Sequence, residues 1–174
     1  EMRATGSHWT FTPNIDIARD ARWGRVGETF GEDTYLVGEM GVATIEGLQQ
    51  GDFTGPNKVI ANAKHWVAGG DPINGINLSP MDVSLRTLRE DFFPPFKRAI
   101  EAGVFTFMAA HNEINGVPAH SNRFILTDVL RNEWGFKGFV VSDWMDVGRL
   151  HTFHRTATSQ KDAVRLYTSD AAHA

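Results

Sequence analysis

The side chains best placed to do chemistry lie in Gly138-Phe139-Val140-Val141-Ser142-Asp143-Trp144. Residues 139–142 have the composition of a strand buried on both faces. A carboxylate, Asp143, and an indole, Trp144, therefore stand where that strand ends. In parallel α/β sheets, ligands and catalysis collect at the carboxyl ends of strands. A carboxylate there can attack the anomeric carbon of a sugar, and an indole beside it can stack on a sugar ring. The competing reading is that Asp143 only caps the next helix. Other apolar runs end in comparable groups: Asp16, Lys64-His65 and His111. Lys64 and His65 are adjacent, so in a regular strand they point to opposite faces. Both reach one pocket only if the strand end is irregular. Arg22 and Arg25 lie in a charged loop, where pairing with Glu28 and Asp33 competes with any binding role. His111 and His120 could suggest a metal, but no carboxylate or third histidine stands at ligand spacing. No metal and no cofactor are expected.

Stepping outward from those residues, four strand–helix units are predicted to position them. Residues 13–17 read as a short strand, and Leu36, Met40, Ile45 and Leu48 mark one face of a helix that Gln50-Gly51 ends. Residues 51–57 are a Gly/Pro/Asp loop. A second strand is predicted over residues 59–63 and is followed by a long Gly/Pro/Asn loop, residues 69–82, of the kind that is usually functional or mobile. Thr87-Leu88-Arg89-Glu90 predicts a capping box for a helix carrying Leu85, Leu88, Phe92 and Phe96, interrupted at Pro94-Pro95. Residues 104–110 give the third strand. Asn115-Gly116 is a turn signal, and Ile125, Leu126, Val129, Leu130 and Trp134 give a helix closed by Gly135. After the fourth strand, residues 162–167 are weakly helical.

The fold class is α/β. Units of about 40 residues suit part of a (β/α)8 barrel of TIM type, about four βα units, with an open doubly wound sheet as the alternative. The barrel is preferred because every strand ends in residues suited to one pocket. Residues 1–162 are assigned to this partial barrel and residues 163–174 to a tail of unclear role. The 174-residue chain is long enough for a real core. Its net charge of −4 gives no electrostatic case for nucleic acid or an anionic membrane, and its longest apolar run, residues 104–110, is too short to span one. The absence of cysteine excludes disulfides, thiolate metal sites and a cysteine nucleophile. It does not fix the compartment.

Three ordered motifs carry a family resemblance. Asp20-Ala21-Arg22-Trp23-Gly24-Arg25-Val26-Gly27-Glu28 with Phe30-Gly31-Glu32-Asp33 resembles the signature of glycoside hydrolase family 3. Lys64-His65, an aromatic and a Gly-rich loop resemble its sugar-binding pair. Trp134-Gly135-Phe136-Lys137-Gly138 followed by Val140-Val141-Ser142-Asp143-Trp144 resembles its nucleophile strand. The resemblance implies a retaining β-glycosidase of β-glucosidase or β-xylosidase type, acting on terminal non-reducing β-linked sugars. Asp143 matches the nucleophile. Arg25, Lys64 and His65 match residues that hold sugar hydroxyls, and Trp144 matches an aromatic beside the scissile bond. His111 stands where the family usually has a tyrosine that supports the nucleophile, which marks a distinct subgroup. Lys64-His65-Trp66-Val67-Ala68-Gly69-Gly70 differs from the His-rich loop of the N-acetylglucosaminidase branch and argues against it.

Such an enzyme needs a second carboxylate about 5 Å from the nucleophile as acid/base. In the resemblance that glutamate comes from a second domain, so the chain is expected to be a fragment. The expected partners are a β-linked oligosaccharide and a second copy closing the half-barrel, with no nucleic acid and no membrane. The family resemblance is compatible with periplasmic, secreted or cytoplasmic location. The competing function is a non-catalytic carbohydrate-binding or structural remnant.

Overall fold

The structure, a computed structural model, describes residues 1–51 and 55–171; part of the predicted loop over residues 51–57 lies outside them. Parallel strands alternate with helices, as expected for part of a (β/α)8 barrel. Strand β1 (Asn62–Trp66) pairs with β2 (Thr106–Ala109), and β2 pairs with β5 (Phe139–Val141), all parallel. A short antiparallel hairpin, β3 (Glu113–Ile114) and β4 (Val117–Pro118), follows β2. Its turn is Asn115-Gly116, both with positive φ, the conformation an Asn-Gly hairpin turn demands.

Several expected elements are placed differently. The strand predicted over residues 13–17 meets β1 at one isolated parallel bridge, Asn14 to Lys64, and a second bridge upstream of both joins Trp9 to Ile60. Pro13 has no N–H to give to a ladder. The second strand begins later than predicted, at Asn62 rather than Val59, and carries Lys64 and His65 within it. Strand β5 is not buried on both faces: Val140 is buried, Phe139 exposed and Val141 half-buried. It is the outermost strand of the sheet, so one side lacks a covering neighbour.

Helix α1 (Thr34–Gln49) starts at Asp33, whose carboxylate accepts the Leu36 N–H at 2.7 Å, and ends at Gln50 in the left-handed conformation. Its buried face is Val37, Gly38, Gly41, Ile45 and Gln49; Leu36 and Met40, expected there, are exposed. The glycines explain the difference. A Cβ on Gly41 would lie 2.7 Å from Ile15, and one on Gly38 would lie 3.1 Å from Arg98. The helix seats itself by close backbone approach at these glycines as well as by the buried side chains of Val37 and Ile45.

Helix α2 (Leu85–Thr87) is capped by Ser84, not by Thr87 as the capping-box pattern predicts. Ser84 Oγ accepts the Thr87 N–H at 3.0 Å, while Glu90 is drawn to Arg86 instead of reaching back. A π-type helix, Leu88–Phe92, continues it, and α3 (Pro94–Glu101) begins on the two prolines, which fit a first helical turn. A second π-type helix, Phe124–Glu133, precedes β5, and α4 (Asp146–Thr152) follows it. Residues expected as a tail belong instead to α5 (Gln160–Ala171). Tyr167 Oη donates to Val140 O at 2.7 Å, which ties α5 to β5, and Arg131 donates to Ala171 O at 2.8 Å, which ties α5 to the second π-type helix. Residues 172–174 lie outside the described residues.

The helices and the sheet meet on Trp66. This fully buried indole packs against Phe93, Phe96 and Trp134 with ring centroids 5.1–5.2 Å apart. Each such burial is worth about 1.5–3 kcal/mol, so the irregular end of β1 is anchored where it carries its functional side chains.

Gly138 lets β5 approach β2: a Cβ there would lie 1.9 Å from Phe105 O and 2.7 Å from the Phe136 ring. Gly138→Ala is expected to destabilise the chain by at least about 2 kcal/mol through forced backbone shifts. Gly47→Ala, in an open exposed position of α1, should instead stabilise by about 0.5–1 kcal/mol. Urea denaturation of both variants tests this; equal effects would mean that the Gly138 contact is not tight.

Candidate active site

The carboxyl ends of the strands open on a cleft of about 630 Å³. Arg25, Lys64, His65, His111, Asp143 and Trp144 all line it. Asp143 comes from the end of β5, His111 from the end of β2, and Lys64 and His65 from β1. The strand irregularity that the adjacent pair requires is present. Pairing slips between Ala63 and Trp66, and the Lys64–His65 and Trp66–Val67 peptides are cis. The Lys64 ammonium makes no hydrogen bond or ion pair with other described residues, which leaves its donors open to the cleft. Trp144 is 78% exposed, an uncovered indole face at the rim.

Asp143 uses its two oxygens differently. Oδ1 accepts the Trp144 N–H at 2.6 Å. Oδ2 lies 2.9 Å from His111 Nε2 and 3.5 Å from His65 Nε2, yet accepts no well-aligned hydrogen bond from the described residues. That oxygen keeps a lone pair available while two imidazoles stand against it. Burial alone would raise the Asp143 pKa. The His111 contact, the Trp144 N–H and the nearby imidazole charge outweigh burial and hold the carboxyl well below the usual carboxylate range. The backbone is held too: the Asp143 N–H donates to His120 Nε2 at 3.1 Å.

His111 is bracketed by anions. Its Nε2 faces Asp143, and its Nδ1 lies 2.6 Å from Asp146 Oδ2. Burial pulls its pKa down, but the two carboxylates more than reverse this and push it up to about 9. His120 is the opposite case. Burial dominates and takes it down to about 4, so its ring is neutral and its Nε2 is free to accept from Asp143. Among the described residues no cluster of three or more His, Asp or Glu is arranged to hold a metal.

On the other wall, His65 Nδ1 lies 2.7 Å from the buried Asp16 Oδ2, which aims Nε2 at Arg25 Nη2, 3.2 Å away. Arg25 is held by a bidentate pair with Glu28, both contacts 2.8 Å. The pairing expected for the loop therefore exists and positions the guanidinium at the cleft instead of removing it. Arg22 pairs with Asp20 and stays outside. Trp23 is packing: it is buried and its indole N–H donates to Asn77 at 2.8 Å.

A family described as "Glycosyl hydrolase family 3 N terminal domain" matches residues 1–166. The chain belongs to glycosyl hydrolase family 3. A β-xylosidase of Formosa agariphila is 50% identical over 95% of this family 3 chain and 24% of its own length. A periplasmic β-glucosidase of Salmonella typhimurium is 41% identical over 95% of the chain and 22% of its own length. The crystal structure of a Listeria innocua β-glucosidase in complex with glucose superposes with a TM-score of 0.94 at 36% identity, covering 98% of this chain and 24% of that one. The chain thus spans about a quarter of the length of these relatives. The motifs that carry the resemblance in sequence are those that supply the walls and floor of the cleft.

Two site residues escaped the sequence pattern, Asp146 and His120, the latter expected only as half of a discounted metal pair. Asp16 was expected at the pocket as a strand end, but not as the partner of His65. Their partners are 23 to 49 residues away, beyond any local spacing rule.

Two of these histidines give stability opposite pH dependence. His111 gains proton affinity on folding. Its contribution is complete below its ordinary pKa of 6.5 and is lost as pH rises through about 9. His120 loses proton affinity, so its contribution is complete above 6.5 and lost as pH falls through about 4. Urea midpoints should peak between the two windows. His111→Gln should flatten the alkaline limb and His120→Gln the acid limb, each by about 1–3 kcal/mol. Unchanged limbs in both variants would refute the assignment.

Proposed function

We propose that the chain carries the nucleophile and sugar-binding walls of a retaining β-glycosidase acting on terminal non-reducing β-linked glucosyl or xylosyl units. The observation that carries this reading is Asp143 Oδ2: ionised, without a well-aligned hydrogen bond from the described residues, and set among imidazoles at the strand ends of a cleft. Arg25 and Lys64 supply donors for sugar hydroxyls, and the Trp144 face suits the apolar side of a pyranose ring. The Listeria structure's bound glucose and the β-xylosidase and β-glucosidase names of the relatives support the substrate class.

In the reaction, a bond forms between Asp143 Oδ2 and the anomeric carbon as the bond from that carbon to the leaving oxygen breaks. The electron pair departs on the leaving oxygen, and water later hydrolyses the glycosyl ester. The departing oxygen of an ordinary glycoside must be protonated. Carboxylates near the site are already engaged: Asp16 by His65, Glu28 by Arg25, Asp146 by His111 and Arg149. Glu113 is engaged by His154 at 2.6 Å. This favours an acid/base supplied from outside the described residues, in keeping with the second-domain glutamate that the family resemblance implies. It also gives weight to a second reading, a chain that binds sugar and turns over poorly.

An activated aryl 2-fluoro glycoside separates the two, because its phenolate leaves without acid help. The wild-type chain is expected to gain one fluoroglycosyl mass on the peptide containing Asp143, and Asp143→Asn is expected to gain none. Label on Asp16 or Asp146 would overturn the nucleophile assignment. A wild type that binds glucose in calorimetry but never labels would leave the binding-only reading.

The open side of the sheet points to an assembly. Trp9 packs edge-on against Phe11 and Phe139, centroids 4.8 and 5.4 Å apart, and Phe11 and Phe139 are 49% and 43% exposed. Aromatics this exposed favour burial against further protein, and in solution a second copy is the available cover. Sedimentation equilibrium of this chain should give a dimer that Phe11→Ser and Phe139→Ser weaken. A monomer across the accessible concentration range would remove this reading.

A further inference from the structure

Asp146 lies behind the cleft wall, with 1% of its side chain exposed, and does not line the cleft. Its oxygens are divided between three basic side chains. Oδ2 is 2.6 Å from His111 Nδ1 and 3.7 Å from His120 Nδ1, while Oδ1 is 3.0 Å from Arg149 Nη1. Arg149 Nη1 is also 3.5 Å from His111 Nδ1, so it competes with the imidazole for the same carboxylate. On its far side His111 presents Nε2 to Asp143 Oδ2 at 2.9 Å, and the His65 ring stacks beside it at 6.4 Å. A neutral imidazole has one N–H and can satisfy only one of two flanking carboxylates. Only the imidazolium has a donor for each.

We propose that Asp146 is a positioning residue for the nucleophile: by holding the Nδ1–H of His111 from outside the cleft, it fixes that ring as a cation whose Nε2–H faces Asp143. This rests on the reading of Asp143 as nucleophile. The charges around the ring give the arrangement a direction. Before reaction, His111 and Arg149 balance Asp143 and Asp146. Once Asp143 is an ester, its charge is gone and the cluster carries one excess positive charge. That excess favours return of the aspartate carboxylate, so it assists the hydrolytic half of the cycle. Asp146 keeps the imidazolium in place throughout, because its own charge does not change. His120, neutral and buried, adds no charge to this balance and fixes the Asp143 backbone from the opposite side.

The test follows the His111 ring by NMR in the full chain as pH is varied, in wild type, Asp146→Asn and Arg149→Met. Asp146→Asn should move the His111 titration down by more than about one pH unit, tenfold in proton affinity. Arg149→Met removes the competing cation and should move it up. The alkaline limb of Asp143 labelling by the activated 2-fluoro glycoside should move in the same direction in each variant. A fold-maintenance role alone would leave these limbs in place. His111 titrating at the same pH in all three proteins overturns the proposal through Asp146. A titration that moves as stated beside a wild type that never labels overturns it through the nucleophile reading instead. Should Asp146→Asn not fold, the upward shift in Arg149→Met decides alone.

Discussion

A carboxylate at the mouth of a cleft that is to act as a nucleophile, the role proposed for Asp143, must stay ionised without being paired so tightly that it cannot react. Burial opposes the charge. A direct, well-formed salt bridge would restore it but occupy the reactive lone pair. The structure divides the two tasks. Oδ1 takes the aligned N–H of Trp144, and Oδ2 is stabilised by imidazoles that stand close without a linear bond. Strand ends suit this work because β1, β2 and β5 run parallel, so that His65, His111 and Asp143 reach the same edge of one sheet.

The supporting shell is built from pairs in which a deeply buried carboxylate aims a histidine at the cleft. Asp16 aims His65, and Asp146 aims His111. Glu28 does the same for Arg25. In each case the outer group removes rotamer freedom from the inner one before any ligand arrives, which lowers the ordering cost of binding. The structural elements serve the same end. Trp66 locks the irregular end of β1 among three aromatics, and Gly138 brings β5 against Phe105, so the atoms that bear Lys64, His65 and Asp143 are held by packing.

What could be read from the sequence was whatever a local pattern encodes. Asp143, Lys64 and His65 were visible because an apolar run ends at or beside each of them, and the Asn115-Gly116 turn because its dipeptide dictates its geometry. Element edges and faces were less legible. The buried face of α1 was misread because periodicity counts apolar side chains, whereas Gly38 and Gly41 pack by having none. The cap at Ser84 was missed because Thr87 and Glu90 offer an equally good local pattern, and the ion pair of Glu90 with Arg86 decides between them. His120 and Asp146 were invisible as site residues, and Asp16 was legible only as a strand end, because their roles exist through partners on other strands and helices.

Where the family resemblance implies a tyrosine this chain has His111, and the charge of that ring sets what must surround it. A phenol near its ordinary pKa of about 10 is a neutral donor and needs no counter-ion. An imidazolium in the same place brings a full charge into a half-buried wall, where an unpaired charge is costly. It therefore requires a carboxylate on its second nitrogen, which Asp146 supplies at 2.6 Å. A carboxylate that buried has a second oxygen to satisfy, and Arg149 reaches it at 3.0 Å from one turn further along α4. One imidazolium beside Asp143 thus calls for two charged groups behind it. A tyrosine restored at position 111 alone would leave Asp146 facing a hydroxyl or nothing, with Arg149 as its remaining strong partner. His111, Asp146 and Arg149 form one charge-paired unit, and a single substitution within it is not conservative.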